Sequence, residues 1–114
     1  MTPLRRRVLW SVTARNDLGA IIDWIAAENP SAARTALSRL RAAAERLHAF
    51  PDQGRVVPEL RRHGIELYRE LIVAPWRIIY RADDQTAQVL AVFDSRRDLE
   101  DLLLERLTRP LSTQ

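Results

Sequence analysis

Hydrophobic and polar residues alternate from Val8 to Thr13 near the start of the chain. This period of two predicts a first β-strand, and Thr13 is then placed to cap the helix that follows. Beyond Thr13 the apolar residues recur three and four positions apart, which is the spacing of one helical face. The residues of this face are Leu18, Ile21, Ile22 and Ile25. Trp24 lies beside the stripe.

A second helix is predicted to begin at Asn29-Pro30. Asn is a favoured N-cap, and Pro is tolerated at the first helical position because an N–H there has no intrahelical partner. The apolar face of this helix is rich in alanine and comprises Ala33, Ala36, Leu37, Leu40, Ala43, Ala44 and Leu47. Because the link between the two helices is very short, they are predicted to form an antiparallel hairpin.

Three further apolar runs predict strands after a turn at residues 50–55 and a loop or irregular crossover at 56–64. The strands are Ile65–Val73, Trp76–Arg81 and Gln88–Phe93. The polar stretch 83–86 predicts a tight turn, so the last two strands form a hairpin. At the C-terminus, Ser95 and Asp98 have the spacing of a capping box, and a short helix with Leu99, Leu102, Leu103 and Leu107 is predicted to stop at Pro110.

The element order is therefore βααβββα, an α+β fold, and the 114 residues are expected to form a single domain, 1–114.

The composition excludes several classes of site. The chain has no cysteine, which excludes disulfides, thiolate metal sites and cysteine nucleophiles. No apolar run approaches the roughly 20 residues that span a bilayer, so we expect no membrane association and a cytoplasmic location.

All 18 basic residues are arginine, and they are unevenly distributed. Residues 1–63 hold 11 arginines and 6 acidic residues, whereas residues 64–114 hold 7 and 9. The basic N-terminal half is suited to an acidic protein or nucleic acid. Charged helix faces that simply point to solvent explain the same excess.

Sites for conventional catalysis are scarce. His48 and His63 belong to no nucleophile motif, Asp83-Asp84 is typical of a turn rather than a metal site, and the three glycines form no phosphate-binding loop. We therefore expect no metal, no cofactor and no small-molecule substrate.

The arginines of the predicted sheet are better candidates. Alternation along the middle strand places Trp76, Ile78 and Tyr80 on one face and Arg77, Ile79 and Arg81 on the other. An arginine on a strand must be solvated or paired, because burying its charge alone is very costly. Two interpretations of Arg77 stay open: contact with a partner, or a salt bridge to Glu70 or Glu66 on the neighbouring strand.

Several motifs occur in an order and spacing that are specific when taken together. They are Ala14-Arg15-Asn16-Asp17-Leu18, Asn29-Pro30, Phe50-Pro51-Asp52-Gln53-Gly54-Arg55 with Pro58-Glu59, Tyr68-Arg69-Glu70-Leu71, Trp76-Arg77-Ile78-Ile79-Tyr80 and Ser95-Arg96-Arg97-Asp98-Leu99. On these motifs nearly the whole chain resembles the ParE-type toxins of the RelE/ParE superfamily. The resemblance implies a curved antiparallel sheet packed against a two-helix hairpin, with a short C-terminal helix.

The resemblance also implies the toxin half of a type II toxin–antitoxin module, of the kind that stabilises plasmids, in which a small antitoxin neutralises the toxin. Activities in this superfamily divide into two classes. RelE-like members cut messenger RNA on the ribosome, and ParE-like members inhibit DNA gyrase and block growth.

The ribonuclease alternative would use Glu59, Arg77, Arg81 and Tyr80. Of these, Arg77 matches the central sheet arginine of that class and Glu59 approximates its glutamate. Such enzymes also carry a His or Tyr near the end of the last strand, where this chain has Phe93-Asp94. A carboxylate is a poor proton donor at neutral pH. The resemblance therefore favours a non-catalytic, ParE-like inhibitor of gyrase with no catalytic residue.

Binding residues are expected in two groups. Contacts to the target are assigned to Trp76, Arg77, Arg96 and Arg97. Contacts to a ParD-like antitoxin, laid along the hairpin and sheet, are assigned to Trp24, Arg34, Arg39 and Arg41, because Trp and Arg are enriched at interface hot spots. Trp10 on the first strand is expected in the core, and Arg77→Ala is expected to weaken toxicity while the protein still folds.

Overall fold

The computed structural model of the chain describes residues 6–95 and Arg106. The strands are β1 (Arg7–Trp10), β2 (Arg55–Val56), β3 (Arg69–Val73), β4 (Trp76–Ala82) and β5 (Thr86–Asp94). The helices are α1 (Val12–Ala26), α2 (Pro30–Glu45) and the short α3 (Pro58–Arg61), with a 3₁₀ turn at Arg46–His48. The predicted α+β class and the helical hairpin are confirmed. In this part of the chain no helix is long and apolar enough to cross a membrane.

Side-chain caps define where the two long helices begin. The N-cap of α1 is Ser11 rather than Thr13, and its Oγ accepts the Ala14 N–H at 3.0 Å. The first strand is correspondingly shorter than predicted, because the Ser11 N–H still bonds to the Val89 carbonyl while its side chain already caps the helix. The predicted cap of α2 is confirmed, since the Asn29 carboxamide oxygen accepts the Ala32 N–H at 3.0 Å.

The five strands form one sheet in the order β1-β5-β4-β3-β2. The pairs β2–β3, β3–β4 and β4–β5 are antiparallel, as expected. β1, however, pairs with β5 in parallel, from Arg7↔Thr86 to Trp10↔Val89, so the sheet is mixed. A parallel pair needs a long crossover, and the helical hairpin together with β2, β3 and β4 supplies it.

The predicted crossover at 56–64 is partly regular. Arg55–Val56 pairs with Glu70 and Arg69, and α3 follows at once. The helical turn continues to Ile65, whose N–H bonds to the Leu60 carbonyl, and Gly64 there has a φ of +78° that favours glycine. β3 consequently begins at Arg69, four residues later than the alternation of apolar residues suggested.

Both faces of the sheet are covered. On one face Leu18, Leu40 and Leu47 of the helical layer pack against the strands, and Trp10 lies half-buried beside them as expected. On the other face Val57 and Leu60 pack against Ile79, Ala91 and Phe93. A register shift between Ile79 and Tyr80 leaves one extra residue in β5, because Ile79 pairs with Ala91 and Tyr80 with Val89.

Candidate functional site

Arg77 lies at the centre of a buried cluster of charges. Its Nε donates to Glu70 Oε1 at 2.6 Å, while Nη1 and Nη2 donate to the two oxygens of Glu59 at 2.7 and 2.8 Å. Nη2 also contacts Glu70. The side chains of Arg77 and Glu70 are 8% and 0% exposed, so this is an interior arrangement. The fork geometry of guanidinium suits such bidentate pairing.

Strand register brings the cluster together. Glu70 and Arg77 point to the same sheet face from neighbouring strands, on diagonal positions, because Glu70 pairs with Ile79 and Arg77 with Ile72. Arg55 lies directly opposite Glu70 and its Nε donates to Glu70 Oε2 at 2.6 Å. Each oxygen of the buried Glu70 carboxylate therefore accepts from an arginine.

Glu59 reaches the cluster from above the sheet. It stands in the first turn of α3, where Pro58 begins the helix and where burial of Val57 and Leu60 turns Glu59 towards β4. The hydrogen bond from Arg77 lowers the pKa of Glu59 to about 2 against the opposing effect of burial. The same hydrogen bond raises the pKa of Arg77. Both groups are charged at any physiological pH.

Direct target binding would require Arg77 to be exposed on the sheet, but its side chain is buried. The crossover that the sequence left as an irregular loop covers it, and its cost of burial is offset by two carboxylates. Of the two ion pairs weighed from the sequence, the one to Glu70 is confirmed. Glu66 instead lies 3.5 Å from Arg61 on the surface.

Tyr80 is also committed to the interior. It is 0% exposed, its hydroxyl donates to the Pro51 carbonyl at 2.7 Å and accepts the Gly54 N–H at 3.0 Å. Burial raises the pKa of this phenol. A Cβ at Gly54 would stand 2.7 Å from the hydroxyl oxygen, so only glycine allows this approach. Tyr80 thus anchors the 50–55 turn to the sheet.

The remaining candidates for target binding occupy different places. Arg81 is exposed near the end of β4, and Trp76 is half-buried at the start of the same strand. Arg96 and Arg97 lie outside the described residues. Asp94, the departure from the ribonuclease pattern, is the last residue of β5 and pairs in register with Trp76.

The four residues assigned to an antitoxin lie on three different flanks of the hairpin. Arg41 lines a groove of about 640 Å³ between β1, α1 and α2, with Trp10, Leu18, Ile22 and Leu37. Arg34 is one helical repeat before Arg41, on the same flank of α2. Arg39 projects from the opposite flank and its Nη2 bonds to the Ala74 carbonyl at 3.2 Å. Trp24, 78% exposed, stands on the flank of α1 that also carries Asp17.

Asp17 has a role that the sequence pattern did not indicate. Where β1 ends, its Oδ2 accepts the Val92 N–H of β5 at 3.0 Å, just after the extra residue of that strand. Arg106 donates to both Asp17 oxygens at 2.9 and 3.1 Å and lies 4.7 Å from the centre of the Phe93 ring. No local sequence motif predicts the bond between Asp17 and the Val92 N–H, because it depends on where β1 stops and on the bulge in β5.

In the part of the chain that the structure describes, no three His, Asp or Glu side chains converge as metal ligands would. The charges of Arg55 and Arg77 are balanced within the cluster by those of Glu59 and Glu70.

Comparisons with known proteins agree with this geometry. The family model of the ParE toxin of the type II toxin–antitoxin system parDE matches residues 8–99. The chain belongs to the ParE toxin family. A curated relative, Toxin RelE2 of Caulobacter vibrioides, is 37% identical over 79 residues, which are 68% of this chain and 82% of the relative.

A solved structure described as the chromosomal ParDE TA system from P. aeruginosa shares the fold. Its chain superposes with a TM-score of 0.67 at 21% identity, over 79% of this ParE-family chain and 96% of the solved one. The fold, the family and the type II toxin–antitoxin class are therefore shown. The match to the family model, over residues 8–99, covers the hairpin and most of the sheet, including the Arg77 cluster.

Proposed function

We propose that this ParE-family toxin inhibits DNA gyrase in the cytoplasm by binding it, without making or breaking covalent bonds. One observation supports this choice above the ribonuclease alternative. The best candidate catalytic groups, Arg77, Glu59 and Tyr80, are hydrogen-bonded to one another or to the backbone, and Arg77 and Tyr80 are buried.

Messenger-RNA cleavage needs a cation that neutralises the phosphate and groups that move protons. Arg77 already donates through all three of its nitrogens to Glu59 and Glu70. A phosphate that approached Arg77 would meet two carboxylates. One of them, Glu59, has a pKa of about 2 and so stays charged at neutral pH. Glu59 held in this pair is a very weak base, and Tyr80 has no solvent contact.

Arg77 and Glu59 then act by positioning. Their bidentate bond holds α3 on the sheet and so fixes the exposed segment 61–64 relative to β4, whose Arg81 is also exposed. We propose that Trp76, Arg96 and Arg97 contact the target directly. The supporting feature is that Trp76 keeps part of its surface exposed at the start of β4.

We further propose that a ParD-like antitoxin neutralises the toxin by occupying the groove between β1 and the hairpin. Its lining is largely apolar, with Arg15, Arg41 and Asp23 at polar positions. Such a groove suits one face of an amphipathic helix. The solved ParDE toxin–antitoxin system with the same fold supports an antitoxin as the partner.

Two assays run in parallel test the target. Purified toxin is added to gyrase with relaxed plasmid and to a cell-free translation reaction with ribosomes and messenger RNA. We expect loss of supercoiling while the messenger RNA stays intact. The name of the Caulobacter relative, RelE2, makes the ribonuclease the competing function. Messenger RNA cut at defined positions, with supercoiling unchanged, would overturn the proposal.

A further inference from the structure

The outer edge of β3 is open over its second half. β2 pairs only with Arg69 and Glu70, and within the described residues no strand continues alongside Leu71–Val73. Instead, a groove of about 410 Å³ lies there between β3 and α2. An unpaired edge of this kind is a template for an added strand unless something covers or blunts it.

The hydrogen bonds of β2 show which groups of the edge face outward. The Val57 N–H bonds to the Tyr68 carbonyl at 3.0 Å, and the register puts Arg55 opposite Glu70. Outward groups occur at every second residue of an antiparallel strand. Tyr68 and Glu70 turn their backbone groups towards β2, so the next outward residue is Ile72. Its N–H and C=O therefore point into the open groove. Its side chain is 55% exposed.

Arginines surround this edge. Arg46 lines the groove from the 3₁₀ turn that follows α2, and Arg55 lines it from β2. Arg39 reaches the far end of the edge, where its Nη2 bonds to the Ala74 carbonyl. Within residues 6–95 neither Arg39 nor Arg46 is paired with a carboxylate, and Arg55 is 61% exposed although it contacts Glu70. The electrostatic environment therefore favours a negatively charged occupant.

We propose that this edge binds an extended acidic peptide segment of a protein partner, which adds as a short strand beside β3. The backbone of the segment would pair with Ile72, and carboxylates on either side of a β-branched residue would meet Arg46 and Arg55. The occupant is an extended peptide rather than a nucleic acid, because a phosphate backbone cannot pair with both the N–H and the C=O of Ile72.

A second copy of the chain is a poorer occupant. Pairing β3 with β3 would bring the same arginines of two molecules together, and like charges across an interface are unfavourable. The edge is also separate from the groove proposed for the antitoxin. α2 lies between them, with Arg41 on one flank and Arg39 and Ala43 on the other. The inference uses only the β3 edge and its arginines, so it does not depend on gyrase as the target.

The probe is a blocked pentapeptide, acetyl-Glu-Val-Thr-Val-Glu-amide, added to the full chain and followed by amide chemical shifts and by fluorescence anisotropy of a labelled version. We expect the largest shift at the Ile72 amide. A peptide with lysines in place of both glutamates should bind at least about tenfold more weakly, and one with proline in place of threonine should not pair.

Variants of the chain separate charge from pairing. Arg46→Glu should weaken binding about tenfold, whereas Arg34→Glu, on the flank of α2 away from this edge, should leave it unchanged. Ile72→Pro removes the outward N–H without removing a bond to β4 and should abolish binding, while Ile72→Ala retains most of it. Equal binding of the acidic and lysine peptides, shifts confined to the β1 groove, or a dimer that forms through β3 and excludes the peptide would overturn the inference.

Discussion

Arg77→Ala is expected to destabilise the fold strongly, because it removes the centre of the buried cluster. Glu70, whose side chain is 0% exposed, would keep only Arg55, and Glu59 would lose both hydrogen bonds from Arg77. Removing one partner of a buried ion pair costs about 3–5 kcal/mol. A domain of this size has a total stability of about 5–15 kcal/mol. The variant should therefore retain only part of its stability, which differs from the expectation drawn from the sequence.

Urea denaturation followed by tryptophan fluorescence measures this loss directly. The matched control is Arg81→Ala, since Arg81 lies on the same strand, but is exposed, and its loss should change the free energy of unfolding by no more than about 0.5 kcal/mol. Any loss of toxicity in Arg77→Ala must be compared at equal folded concentration. If Arg77→Ala costs less than about 1 kcal/mol, the cluster does not hold the fold together as described here.

Three further predictions concern other contacts. Because the folded pKa of Glu59, about 2, lies below its ordinary 4.5, the pair should contribute up to about 3 kcal/mol above about pH 5 and lose it as the pH falls towards 2. The gap in unfolding free energy between the wild type and Glu59→Gln should therefore close on acidification, and a constant gap would contradict this reasoning. Tyr80→Phe leaves the Pro51 carbonyl and the Gly54 N–H unpaired, so thermal denaturation should show a loss of about 1–3 kcal/mol; an unchanged melting temperature would be inconsistent with the hydroxyl's anchoring role. Asp17→Ala should speed hydrogen exchange at the Val92 amide, with Asp23→Ala as the unaffected control, and equal protection in both variants would count against the contact.

The helical layer was predictable because its signals are local. The Asn29-Pro30 start of α2 and the apolar faces of both helices follow from residues within one or two turns of each other. The strands β4 and β5 likewise followed from their apolar runs. On β4 alternation also gave the two faces, since Ile78 and Ile79 lie in different cores.

Features that depend on distant parts of the chain were not predictable. The sequence placed Arg77 on the correct face of its strand, yet its burial depends on Glu59, 18 residues away, in a segment without clear periodicity. The parallel pairing of β1 with β5 joins residues about 80 positions apart, as Arg7 and Thr86 show. Local propensity contains no information about such contacts, whereas ion pairing and register decide them.

The separation of the proposed antitoxin residues follows from the same limit. Arg39 and Arg41 are neighbours in sequence, but the helical turn places them on opposite flanks of α2, one at the β3 edge and one in the β1 groove. Exposed charge in the sequence therefore identified a helix surface and not a single binding site.

The most direct test of a binding toxin is the state of the DNA in a gyrase reaction. Supercoiled plasmid, gyrase and the purified chain are incubated with ATP, and protein is then denatured and digested before electrophoresis. Trapping of the cleaved complex should convert the plasmid to a linear form in proportion to the toxin added, and this should be lost when gyrase is omitted. Plasmid that stays intact at toxin concentrations that arrest growth would contradict gyrase as the target.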